Sequence, residues 1–258
     1  MDVSAESTAL GEQIALVLEQ ARALLGVRVV RSLPDGWGNV LKGDTHLFRG
    51  LGRSVDLLHH CHPAILGRGT DTEQARTWCY TYPTSLEPAS VAPGSTARAC
   101  FVGTVHYASM ARAVWWAEAG RLGLPIDFAI TLPWKTEHLD RPPLSDIEYS
   151  DRLSGHRLAV NFTQRLDGTR ILTARTIEVL LAGGMLLEES SADSAYFFQP
   201  GVHYLPFESL ADLRGLIERL LGQPERCRAL ADAGQRWASR YCSGDIFWAE
   251  LLTRLDRL

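Results

Sequence analysis

In the stretch LTARTIEVLLAGGMLLEES, Arg175, Thr176 and Glu178 are polar residues at the head of an otherwise apolar run. If a helix begins near Ala174, all three fall in or near its first turn. There, unpaired N–H groups and the positive end of the helix dipole favour anions. Arg175 and Thr176 would then hold phosphate oxygens, and Glu178 would accept hydrogen bonds from sugar hydroxyls. The plainer alternative is a cap, in which Thr173 or Thr176 and Glu178 only satisfy the helix start. Local spacing leaves both open.

Gly103 and Thr104 close the apolar run ACFVGT, where a missing side chain lets backbone amides approach a phosphate. As a lone glycine it fits a simple turn equally well. Lys135, in TLPWKTEHL, follows a second strand-like run; an ammonium there could neutralise a diphosphate, or be a solvated loop lysine. His106 could touch a ligand or cap its loop, and as a catalytic base it has no partner identifiable from sequence. Lys135, Arg175 and His106 are the candidates for catalysis; Gly103, Thr104, Lys135, Arg175, Thr176 and Glu178 are those for binding.

The run HHCHP holds four potential metal ligands, His59, His60, Cys61 and His62. Consecutive side chains diverge on strand and helix alike, so one ion reaches at most two of them, and a partly buried loop or helix end is the favoured reading. No metal site is expected. GxSxG, HExxH and CxxC are all absent, which leaves hydrolase, zinc-protease and thiol-redox chemistry unsupported.

The elements that must position these groups alternate. VRVVRSL reads as a strand, and HLFRGLGRSVDLLHHCHPAIL as a helix leading into a buried segment. TYPTSLEPASVAPGST, with Pro83, Pro88 and Pro93, reads as a connector. After it, strand-like ACFVGTVH, PIDFAITL, HRLAVNF, GMLLEES and GVHYLPF are interleaved with helical SMARAVWWAEAGRLG and the Thr173 to Leu181 segment. SLADLRGLIERLL, PERCRALADAGQRWASRY and DIFWAELLTRL then read as helices. Strands alternating with helices imply parallel pairing with right-handed crossovers. The fold expected is α/β: a Rossmann-like, doubly wound parallel sheet over residues 89–258, preceded by an abbreviated α/β portion over 1–88.

With 258 residues, 46% of them hydrophobic, the chain has ample material for a core. A net charge of −4 argues against nucleic acid as a partner. The five cysteines are scattered, consistent with reduced thiols. The sequence shows neither a signal-peptide pattern nor a transmembrane run, so a cytoplasmic protein is expected. The seven tryptophans, Trp115 and Trp116 among them, are expected to pack the core.

The segment from Arg175 to Tyr241 resembles the nucleotide-sugar-binding half of group 1 glycosyltransferases, especially the spore-maturation-type subgroup. The likeness rests on RTIE (Arg175 to Glu178), FQPG (Phe198 to Gly201), the Leu213, Ile217, Leu220 spacing, and PERCRALADAG (Pro224 to Gly234). FVGT fits the first strand of that half. The resemblance implies a GT-B architecture and a nucleotide-diphosphate sugar as donor substrate, with no tightly bound cofactor. It also implies retaining, metal-independent transfer to an unknown acceptor. By the same implication Glu178 contacts the donor ribose, Arg175 and Thr176 lie near the diphosphate, and Gly103 lets the phosphate approach. Many retaining members carry a second glutamate eight residues before the matched one, where this chain has Arg170. That departure and the short N-terminal portion keep a second reading open: a non-catalytic, GT-B-like nucleotide-binding chain serving as partner subunit. Self-association is a further expectation.

Overall fold

The computed structural model describes residues 16–17, 19–21, 23–33, 55–66, 74–82, 84, 86, 96–104, 110–131, 145–165 and 168–258. By contacts the chain divides into two units, Met1–Thr81 with Ala249–Leu258, and Tyr82–Trp248.

The first unit contains a parallel three-stranded sheet of β1 (Val30–Leu33), β2 (Leu57–His60) and β3 (Thr77–Cys79), in the order β1-β2-β3. As the central strand, β2 is buried throughout. LLHH is thus strand and not helix, and His59, His60, Cys61 and His62 are buried rather than set at a partly open loop. Among the described residues no group of three or more such side chains could hold a metal ion. Burial pushes the His59 and His60 imidazoles down to about 4, because a charged ring would lose its water.

The second unit is built on five parallel strands: β4 (Thr96–Thr104), β5 (Ile126–Thr131), β6 (His156–Asn161), β7 (Met185–Glu189) and β8 (Leu205–Phe207), in the order β5-β4-β6-β7-β8. The chain steps outward from β4 to β5, then returns past β4 to lay down β6, β7 and β8. With right-handed crossovers, that reversal puts helices on both faces and makes the β4/β6 boundary the topological switch point. The doubly wound, Rossmann-like α/β sheet expected from the alternation of elements is the one found.

The crossover helices are α1 (Met110–Arg121), α2 (Asp146–Gly155), α3 (Ala174–Leu181) and α4 (Ala192–Phe197). They are followed by α5 (Leu210–Leu221), α6 (Pro224–Tyr241) and α7 (Gly244–Leu255). Local chemistry sets their ends. Ser145 and Glu148 form a reciprocal capping box on α2, Ser209 Oγ caps α5 by accepting from Asp212 N, and Pro224 occupies the first turn of α6. The α7 helix begins in the second unit and ends in the first.

One face of the large sheet carries an aromatic core in which Phe162 lies 5.3 Å from both Phe101 and Trp115 and 5.8 Å from Phe207. Burying each such ring contributes roughly 1.5–3 kcal/mol to the packing of this face. The expectation that the tryptophans pack the core holds for Trp78 and Trp115, whereas Trp116, Trp237 and Trp248 are exposed. Indoles have an apolar body and a polar tip, so partial exposure costs them less than it would a purely aliphatic group.

Candidate functional site

Ligands of an open parallel sheet gather beyond the carboxyl ends of its strands, at the switch point. Here those ends are Gly103 and Thr104 on β4 and Asn161 on β6. The helix following β6, α3, starts over this spot. Its N-cap residue Thr173 has extended backbone angles, as an N-cap should, but its side chain makes no cap hydrogen bond. Instead Thr173 Oγ1 accepts from Asn161 Nδ2 at 2.9 Å. Thr176 does not cap either: it is fully buried and its hydroxyl donates to Glu188 at 2.6 Å. The structure therefore decides against the capping alternative. Among the described residues the first-turn amides of α3 have no side-chain acceptor, and Thr176 faces the interior.

Arg175, the next residue outward, lies across the switch point. Its Cζ stands 4.9 Å over the Phe101 ring, Nη1 donates to Asn161 Oδ1 at 3.4 Å, and its terminal atoms rest where a Cβ on Gly103 would be. Gly103 and the Arg175 turn are thus brought together, as a shared anion site requires. Among the described residues Arg175 has no carboxylate partner, and it sits half-buried. Arg170, five residues earlier, is the opposite case. Its guanidinium pairs with the buried Glu189 at 3.2 Å and with Glu208 at 2.8 Å. Glu189 also accepts from the backbone N–H groups of Thr163 and Gln164, both at 2.9 Å. At the position where the family resemblance implies a glutamate, this chain has a cation paired with two carboxylates.

Glu178 is half-exposed, one turn along α3. Its Oε2 accepts from the Tyr149 hydroxyl of α2 at 2.5 Å, and Oε1 has no hydrogen-bond partner among the described residues. Burial raises the Tyr149 phenol above its ordinary range, and the Glu178 carboxylate reinforces the shift, so Tyr149 is a constant donor at neutral pH. Lys135 and His106 lie outside the described residues, and Thr104 enters only through its backbone at the end of β4.

Over residues 97–251 the chain matches the model of a family described as "Glycosyl transferase-like". The chain belongs to this family, the group 1 glycosyltransferases. No curated protein sequence matches it. Among solved structures, HepE of Anabaena, crystallised with UDP and glucose, aligns with a TM-score of 0.62 at 14% identity. That alignment covers 96% of this chain and 76% of HepE. Sucrose-phosphate synthase of Thermosynechococcus elongatus aligns with a TM-score of 0.62 at 13% identity, covering 94% of this chain and 71% of the synthase. The GtfA/B complex aligns with a TM-score of 0.50 at 14% identity, covering 94% and 60%. At such identities the likeness establishes the GT-B fold, and the family match establishes a glycosyltransferase.

Several residues of this glycosyltransferase's site carry little signal in the sequence. Asn161 ends the apolar strand β6, and Glu188 and Glu189 end the apolar strand β7. A polar residue closing a buried strand at its carboxyl end was the signal available. Glu188 is fully buried, and burial raises its carboxyl above the usual range despite donors from Ser194, Thr176 and Asn161. Tyr149 carried no comparable signal, because it meets Glu178 only through the packing of α2 beside α3.

Proposed function

We propose that the chain transfers a sugar from a nucleotide-diphosphate sugar, holding the donor at the β4/β6 switch point of its second unit. The observation that carries this reading is Arg175, without a carboxylate partner among the described residues, seated against the Gly103 backbone beside the start of α3, where Thr173 makes no side-chain cap. A cation and a helix N-terminus together form an anion site suited to a diphosphate. Glu178 accepts from the ribose hydroxyls through Oε1, while Tyr149 fixes its other oxygen. Thr176 supports the turn from beneath. Gly103 and Thr104 offer backbone to the phosphates, and Lys135 and His106, both outside the described residues, are the further candidates for catalysis. That HepE holds UDP and glucose in its crystal structure supports a nucleotide-sugar donor.

In the transfer step negative charge builds on the departing diphosphate, and Arg175 with the α3 amides stabilises it where it develops. With this charge supplied by the protein, the reaction is metal-independent, and by family resemblance it retains the anomeric configuration. The first unit recruits the acceptor, and the enzyme works in the cytoplasm. Among the described residues no helix is long and apolar enough to cross a membrane.

The test is a thermal-shift panel of UDP, GDP, ADP and dTDP with their sugars. A ligand at about 100 times its Kd adds ~2.7 kcal/mol to native stability. One nucleotide series should therefore raise Tm by about 5 °C or more. No shift with any of them would remove the reading. NMR of the product's anomeric proton, with and without EDTA, tests retention and metal independence. A second reading, a nucleotide-binding subunit acting with a partner, is favoured by Arg170 standing paired where the family resemblance implies a glutamate, and the GtfA/B complex is a fold relative with two components. Transfer or donor hydrolysis by the purified chain alone decides against it.

A further inference from the structure

Arg175 carries its charge on a long, rotatable side chain, and a cation helps a diphosphate only from the right direction. Beside Tyr149 and the Phe101 ring, what directs it is the Asn161 carboxamide. A carboxamide has nearly the same shape either way round, yet its oxygen attracts a guanidinium and its NH2 repels one. Whatever fixes the orientation of Asn161 therefore fixes Arg175.

The nitrogen side of Asn161 faces three oxygens: Thr173 Oγ1 at 2.9 Å, Thr176 Oγ1 at 3.2 Å and Glu188 Oε2 at 3.0 Å. The two hydroxyls do not settle the orientation, because each can donate or accept. Glu188 does. Its Oε2 takes the single hydroxyl proton of Thr176 at 2.6 Å, which leaves Thr176 able only to accept from Asn161. It also accepts from the amide directly. A carboxyl proton, when present, belongs on Oε1, since Oε2 already receives two donors. Glu188 and Asn161 are register partners on β7 and β6, and Glu188 is fully buried, so a ligand above the strand ends does not touch it.

We infer that Glu188 is a positioning residue of the donor site: through the Asn161 carboxamide it fixes the direction in which Arg175 presents its guanidinium to a diphosphate. The inference rests on the reading that Arg175 grips that diphosphate. Replacing Glu188 with an apolar residue frees the Thr176 proton to donate to Asn161. The carboxamide can then turn its NH2 toward Arg175 and push the guanidinium off the Gly103 edge. Glutamine keeps an acceptor oxygen where both donors need it.

Calorimetry on the full chain tests this with whichever of UDP, GDP, ADP and dTDP binds, compared with its nucleoside, which lacks the phosphates. Arg175→Ala and Glu188→Leu should each lose about 10-fold or more in diphosphate affinity, the scale of a charge-assisted hydrogen bond, with nucleoside affinity held within about 2-fold. Glu188→Gln should restore diphosphate affinity to within about 3-fold of the parent. Should Glu188→Leu fail to fold, Glu188→Thr replaces it: threonine suits a strand and is too short to reach both donors. Loss in Arg175→Ala but not in the Glu188 variant overturns the positioning role, and so does equal loss of nucleoside and diphosphate, the mark of a merely structural part. If Arg175→Ala keeps full affinity, or none of the four diphosphates binds, the reading of Arg175 fails and this inference falls with it.

Discussion

The Arg175 guanidinium occupies the volume that a side chain on Gly103 would need: a Cβ there would overlap the terminal nitrogen and stand 2.6 Å from Cζ. Residue 103 does not lie in the left-handed region, so alanine brings no backbone strain, and the obstructing atoms are the far end of a flexible side chain. Gly103→Ala should leave Tm within about 3 °C of the parent. It should weaken nucleotide-diphosphate binding by about 10-fold as Arg175 is displaced. Melting curves and calorimetry on one sample check both. A large loss of Tm would show that Gly103 serves packing.

Glu178 and Tyr149 should separate by the sugar they sense. Glu178→Ala removes an acceptor for ribose hydroxyls and should cost about 10- to 100-fold in ribonucleotide affinity, with much less effect on the 2′-deoxy nucleotide. Tyr149→Phe leaves the carboxylate in place but unheld, and should cost about 3-fold. Equal losses for ribo- and deoxynucleotides in either variant would point away from a ribose contact.

Gly234, in the middle of α6, should resist replacement for a reason of space. A Cβ there would meet the His203 carbonyl oxygen at 2.6 Å and Leu180 Cδ2 at 2.7 Å. Alanine gains up to about 1 kcal/mol in helix propensity, against about 1–3 kcal/mol for forcing an atom into packed surroundings. Gly234→Ala should therefore be destabilising in urea titration; a higher midpoint would show that the helix shifts freely.

Three buried groups give two opposite pH signatures. His59 and His60, held near 4 in the folded chain against an ordinary 6.5, are neutral when folded and protonate more readily when unfolded. Stability is therefore fully present above 6.5 and is lost as pH falls from 6.5 toward 4. His60→Phe should flatten that decline by on the order of 2 kcal/mol. An unchanged slope in pH-dependent melting would reject the buried neutral imidazole.

Glu188 works the other way. Its folded value is raised above 4.5, so the folded chain holds the proton more tightly, and stability falls as pH rises from about 4.5 through the raised value. Glu188→Gln removes that dependence and should melt higher than the parent at neutral pH while matching it near pH 4. A lower melting temperature for the glutamine variant at pH 7 would count against it.

Much of the second unit was legible because its elements are strongly patterned. Apolar runs such as ACFV and LAVN had to be strands between helices, and Ser209 and Pro224 marked two helix starts by their own chemistry. Arg175, Glu178 and Gly103 were legible as a group because each stands at a strand end or helix start. Asn161, Glu188 and Tyr149 were not, since their roles depend on the β6–β7 register and on α2 packing near α3, neither of which a linear pattern encodes. The buried strand LLHH is hard to read because two histidines interrupt the apolar signal. Burial in the middle of a sheet lets them pass as neutral rings.

The α7 helix adds a matter of timing. Its last residues belong to the first unit, where the Arg254 guanidinium lies 5.5 Å over the Trp78 ring. On the ribosome, β1 to β3 emerge before the α7 residues that share their unit, so that unit is completed only after the five strands of the second unit have been made.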